Sequence, residues 1–329
     1  MRSPIISDPN PSFDSVVLPD GEMCKLLVVD DTRPWPDPAH PLADAMTMQS
    51  WAPMAQTHLI ARKLFQRVLR DHNYLPLLTA LCIAILGEFY TTTSGAGSDD
   101  VRKRLQYRTA PIADFGIAKG SVCVQPCDRL GYMRASNMSW SFRQDPNEHY
   151  WLYFTTLRGE EVILDLGMYS FNLCTMVLTA PYNTPSLEWV SVYGAPAYFE
   201  GRELRTYAPR LHVERARVSA LHNKDLHFVI RRIAHAIDDA EIPHVMAFME
   251  AVSGKLPTAE ETNLACSVAM KNCKQLEFVL KHRLWESYPN DPPVGLHLDP
   301  EQDREWGDLP WPLPNSKKSK GRKQKNRAP

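Results

Sequence analysis

Apolar residues recur along this chain at two spacings, and the change from one to the other divides it into three stretches. Near the start, Ser15-Val16-Val17-Leu18 and Met23 to Val29 flank Pro19-Asp20-Gly21, a turn sequence, so a β-hairpin is expected there. Leu59, Ile60, Leu64 and Val68 then repeat at helical spacing. They predict a helix over residues 52–70, with Ser50 able to cap it and Pro53 in its first turn. A second helix is expected over 75–90, with Pro76 near its start; it is apolar almost all round, the pattern of a buried helix.

The period then shortens. After the Gly/Ser/Thr-rich stretch 91–100 and a short helix over 101–106, strands are expected at 121–125, 129–134, 150–156, 161–166, 189–193 and 211–218. Helical spacing returns with Leu226, Val229, Ile230, Ile233 and Ile237. Pro243 opens a helix through 252, and Thr258-Ala-Glu-Glu261 is a capping box that opens a long helix to about 285. The sum is an α+β fold: N-terminal helices, a central antiparallel sheet and C-terminal helices. One globular domain is expected over 14–286, between a disordered N-terminus (1–13) and an irregular to disordered tail (287–329).

Composition bounds the function. The 329 residues are 44% hydrophobic and 23% charged, ordinary values for a globular protein. No run reaches the ~20 apolar residues that span a bilayer; the most apolar one, 75–90, is broken by Pro76, Thr79, Gly87 and Glu88. The first residues lack the apolar core of a secretory signal, so the expected location is the cytoplasm, the nucleus or both. The seven cysteines are widely spaced and odd in number, which fits reduced thiols. Neither a CxxC pair nor an HExxH helix occurs, so no metal is expected, and without a Gly-rich phosphate loop no cofactor is expected either.

Charge is uneven. The segment 317–327 carries seven of the 37 basic residues and no acidic one, leaving 30 basic against 38 acidic residues elsewhere. The acidic body does not suit nucleic acid, which leaves only the tail for such contact. Three readings of the tail stay open: a solubilising end, a nuclear-localisation signal, and non-specific RNA or DNA contact. A protein partner or substrate is expected, of unknown identity.

Candidate chemistry lies in His149 to Asp165, HYWLYFTTLRGEEVILD. With alternation along both strands and a three-residue loop at 157–159, Thr156 opposes Glu160 and Trp151 opposes Asp165. His149 and Asp165 are then diagonal neighbours on one face, within reach of a hydrogen bond. A two-residue loop would put them on opposite faces. A carboxylate on one imidazole nitrogen fixes the tautomer and leaves the other nitrogen to activate a nucleophile.

This stretch of about twenty residues resembles the His/Asp hairpin of the transglutaminase-like superfamily, within the broader papain-like group. With Leu164-Asp165-Leu166-Gly167 it is also similar to the corresponding region of arylamine N-acetyltransferases. The resemblance implies His149 as base, Asp165 as its orienter, and acyl transfer or amide hydrolysis. It also implies a cysteine nucleophile at the N-terminus of an earlier helix. The helix expected from 52 contains no cysteine; Gln49-Ser50-Trp51-Ala52 puts Ser50 where Cys-Trp is usual. Cys123 and Cys127, close to the His strand in sequence, are further nucleophile candidates. A buried His bonded to Asp across a hairpin also serves a sheet core without catalysis. Two functions therefore stay open: a transglutaminase-like enzyme, active or inactive, and a non-catalytic scaffold or interaction protein directed to the nucleus.

Overall fold

A computed structural model describes residues 15–17, 21, 23–30, 32, 67, 73–90, 104–124, 129–141, 145–171, 182, 197–201, 206, 209–232 and 239–290. The chain divides into two units, Met1–His297 and Leu298–Pro329, and every described residue belongs to the first. The termini 1–13 and 291–329, the helix expected over 52–70 (save Arg67, helical and buried), the Gly/Ser/Thr-rich stretch 91–100 and the strand expected at 189–193 lie outside the described residues.

The fold is α+β, with a central antiparallel sheet and helices on its C-terminal side. The N-terminal hairpin forms as the turn sequence directs: β1 (Ser15–Val17) pairs antiparallel with β2 (Met23–Val29), with Gly21 at φ 85° between them. β2 then pairs in parallel with β5 (Leu130–Arg134), which pairs with β6 (Trp140–Ser141), giving the sheet order β1-β2-β5-β6.

The larger sheet carries the hairpin of interest. Its order is β10-β4-β7-β8-β9, with β3 (Gln106–Tyr107) paired to the start of β4. β4 (Ala110–Val122) is its long central strand, lying between β7 (His149–Thr156) and β10 (His212–Ser219). β8 (Glu161–Asp165) and β9 (Ala197–Glu200) complete it on the other side of β7. Two expectations are corrected here. The strand expected at 121–125 is the end of one that begins at Ala110, and Gln106 opens β3 instead of closing a helix.

One face of this sheet is covered by helices. The helix expected over 75–90 is α1 (Tyr74–Tyr90), and its all-round apolar surface is explained by packing on α2 (Lys224–Arg232), α3 (Ile242–Ser253), α4 (Ala259–Lys281) and the sheet. Leu78, Ile83 and Leu86 of α1 meet Val229, Val245, Phe248 and Ala265 of the other helices, and Phe115, Ile117 and Leu152 of the sheet. Each large side chain buried in this way contributes about 1.5–3 kcal/mol. α4 begins at the expected capping box: Thr258 accepts from the Glu261 N–H, and Glu261 accepts from the Thr258 N–H. Among the described residues no helix is long and apolar enough to cross a membrane.

Candidate functional site

The β7–β8 turn sets the site. Leu157, Arg158 and Gly159 form a three-residue loop, with Gly159 at φ 75°, the left-handed conformation such loops place on glycine. Thr156 N–H donates to the Glu160 carbonyl at 2.9 Å, and the Thr156 hydroxyl accepts from the Arg158 and Glu160 N–H groups. The register that follows pairs Leu152 with Leu164 and Thr155 with Glu161. His149 and Asp165 thus share the face opposite the helices, and His149 Nε2 lies 2.7 Å from Asp165 Oδ2. The hydrogen bond expected from a three-residue loop is present.

A third residue joins them. His212, at the start of β10, also brings its Nε2 to 2.7 Å from Asp165 Oδ2. The side chains of His149, Asp165 and His212 are no more than 2% exposed. Asp165 Oδ1 accepts from the Gly167 N–H at 2.6 Å and the Met168 N–H at 3.1 Å. One buried carboxylate therefore has two backbone N–H groups on one oxygen and two imidazoles on the other. Burial alone would push its carboxyl up; the charge and hydrogen bond of His149, then those of His212, hold it well below the usual carboxylate range.

The bond from β8 to β10 reveals the shape of the sheet. With strands about 4.8 Å apart, β8 and β10 would stand roughly 14 Å from each other in a flat sheet. Here His212 reaches Asp165 directly, and Arg217 of β10 bonds Glu161 of β8 at 2.8 Å. The sheet therefore curls, bringing β10 toward β8 over Trp151 and Tyr153. A bulge between Glu214 and Ala216 puts Arg217, not Ala216, on the inner face, where its guanidinium lies 4.3 Å from the Tyr153 ring centroid. Deeper along that face, Asp114 accepts from the Tyr153 hydroxyl at 2.9 Å and the Ser219 hydroxyl at 2.6 Å.

Around His149 the packing is aromatic. Ring centroids lie at 5.5 Å for Phe171, 5.9 Å for Trp151 and 6.2 Å for both Tyr74 and His212. The ring carbon between the two imidazole nitrogens abuts Gly167: a Cβ there would stand 2.4 Å from His149 Cε1 and 3.3 Å from Nδ1. A nucleophile would have to approach Nδ1, the ring atom next to this carbon.

Among the nucleophile candidates, Cys123 follows the end of β4; its N–H donates to the Leu211 carbonyl at 2.9 Å and the residue is exposed. Val122 shares the triad's face and packs with Met168 and Phe171, so strand alternation turns Cys123 the other way. Ser50 and Cys127 lie outside the described residues. Among the described residues, the helix whose first residue touches the His149 ring is α1, and that residue is Tyr74. Sequence reasoning missed His212; the available signal was its place at the head of an alternating strand, but not which strand would lie beside it.

Three protein donors thus converge on one point, with ligand-type atoms within 4.8 Å of one another. The arrangement can hold a proton between carboxylate and imidazole, tie three strands together, or accept a cation. Comparison with known proteins finds no matching family, no similar curated protein and no similar solved structure.

Proposed function

We propose that this chain is a non-catalytic interaction protein built around a transglutaminase-like His/Asp hairpin that no longer acts on a substrate. The observation that carries the reading is the closure of His149. Its ring is buried among Phe171, Trp151, Tyr74 and His212, and Gly167 leaves so little room that a Cβ there would stand 2.4 Å from the ring carbon Cε1. General-base catalysis requires the ring's second nitrogen to come within about 3 Å of a nucleophile's proton. Among the described residues, the helix start beside it bears a tyrosine, Tyr74. The hairpin's work on this reading is structural, and function resides in the surface and in the basic segment 317–327, which serves as a nuclear address.

The test compares wild type with His149→Ala on a glutamine-containing peptide, reading ammonia release and acyl transfer, with thiol- and serine-directed probes in parallel. The expected result is no turnover above background and the same labelling pattern in both. Turnover that His149→Ala abolishes while the circular dichroism spectrum is kept overturns the reading. A fluorescent fusion lacking residues 315–329 should lose nuclear accumulation; unchanged distribution removes the role given to the tail.

A further inference from the structure

We propose that His149, Asp165 and His212 form a binding site for a divalent first-row metal ion of the zinc class. The inference rests on reading the His149–Asp165 pair as something other than a thiol-activating pair. Two imidazoles and a carboxylate make a donor set that zinc and its neighbours favour. Both imidazoles present the same atom, Nε2, to the same carboxylate oxygen, each at 2.7 Å. A tetrahedral ion about 2.0–2.1 Å from each donor needs the donors roughly 3.3–3.4 Å apart, so each 2.7 Å contact has to open by about 0.6 Å and the two imidazole nitrogens, within 4.8 Å of each other, have to settle at the same separation.

The surroundings fit that role. The other carboxylate oxygen is fixed by the Gly167 and Met168 N–H groups, the kind of outer hydrogen bonding that orients a ligating carboxylate. A purely structural pair would need one histidine; this site brings a second from the edge strand β10. The three side chains are sealed from solvent, where an ion would be held against exchange. The indole N–H of Trp151, whose ring packs edge-on at 4.9 Å against His212, is buried without a hydrogen-bond acceptor among the described residues.

The experiment uses the full chain, freed of metal with a chelator, and titrated with Zn2+ in competition with a chromogenic chelator; Co2+ serves as the spectroscopic probe. His212→Gln is the main variant, because the glutamine amide can still donate to Asp165 but is a poor metal ligand. Cys123→Ser is the control for thiol binding. The expected outcome is one Zn2+ per chain in wild type and in Cys123→Ser, with affinity lower by more than about 100-fold in His212→Gln. Co2+ should give a visible d–d band in wild type that the same variant lacks. Equal Zn2+ affinity in wild type and a folded His212→Gln overturns the proposal, as does the absence of stoichiometric binding. Should His212→Gln not fold, the Co2+ spectrum of wild type decides: no nitrogen-ligated d–d band sinks it. Turnover that depends on His149 but persists without metal would defeat the non-catalytic reading and leave the metal titration to be judged by itself. Turnover that requires added Zn2+ would defeat that reading while supporting this site.

Discussion

Gly167→Ala adds one methyl group to a closed space, and its cost follows from distances. The new Cβ would lie 2.4 Å from His149 Cε1 and 3.3 Å from both His149 Nδ1 and Asp165 Oδ1. Carbon atoms rest about 3.5–4.0 Å apart, so the ring has to retreat by about 1 Å. It is hemmed in by Phe171 and Trp151, and its bond to Asp165 is already 2.7 Å. Forcing a methyl into a packed interior costs about 1–3 kcal/mol, and weakening a hydrogen bond to a charged group about 1.5–3 kcal/mol more. The expected destabilisation is the sum, about 2.5–6 kcal/mol. Gly159→Ala is the contrast: its Cβ meets nothing within 4 Å, and only the positive φ of 75° is strained, at about 1–2 kcal/mol. Urea denaturation followed by tryptophan fluorescence measures both. If Gly167→Ala unfolds within about 0.5 kcal/mol of wild type, or costs less than Gly159→Ala, the sealed packing around His149 is wrong.

Three further outcomes are expected. Thr258→Ala removes the side-chain half of the α4 capping box and should cost about 1 kcal/mol in the same assay; no change would mean that the cap is carried by other groups. Phe248→Ala empties a fully buried site between helices and should cost about 3–5 kcal/mol, read as a lowered denaturation midpoint. Burial pushes the Cys82 thiol up, and burial with Glu88 and Glu277 pushes Cys273 up to about 12, while Cys123 is exposed. Peptide mapping after maleimide treatment should find Cys123 modified in the native protein. Cys82 and Cys273 should be modified only in denaturant, with no increase from pH 7 to pH 9; native labelling of Cys82 would contradict its position in the core.

How much of this could be read from sequence follows the range of the interactions. The His149–Asp165 bond was legible because it depends on a register fixed by three loop residues, and Gly159 supplies the conformation that loop needs. The start of α4 was legible for the same reason, since Thr258 and Glu261 act within one turn. β4 was caught only at its end, because Pro111, Gly116 and Gly120 interrupt the alternation that marks a strand, and its neighbours on both sides supply what its own pattern lacks. The parallel pairing of β2 with β5 joins segments about a hundred residues apart and leaves no local mark. His212 was illegible for a related reason: its contact with Asp165 needs β10 on the far side of β4 and a curled sheet, neither of which is a property of nearby residues.

The same contact carries a consequence for the order of assembly. His149 and Asp165 lie 16 positions apart, whereas His212 follows Asp165 by 47. At a synthesis rate of about 5–20 residues per second, the hairpin leaves the ribosome roughly 2–9 s before the strand that completes the triad. During that interval one edge of β4 lacks its partner, and the surface bearing Trp151 and Tyr153 lacks the cross-links from His212 and Arg217. The open edge that β10 later covers, Gly116 to Val122, is a template for pairing with another chain. The nascent protein is therefore most exposed to misassembly between the emergence of residue 165 and that of residue 212, and β10 acts as the clasp that ends this period.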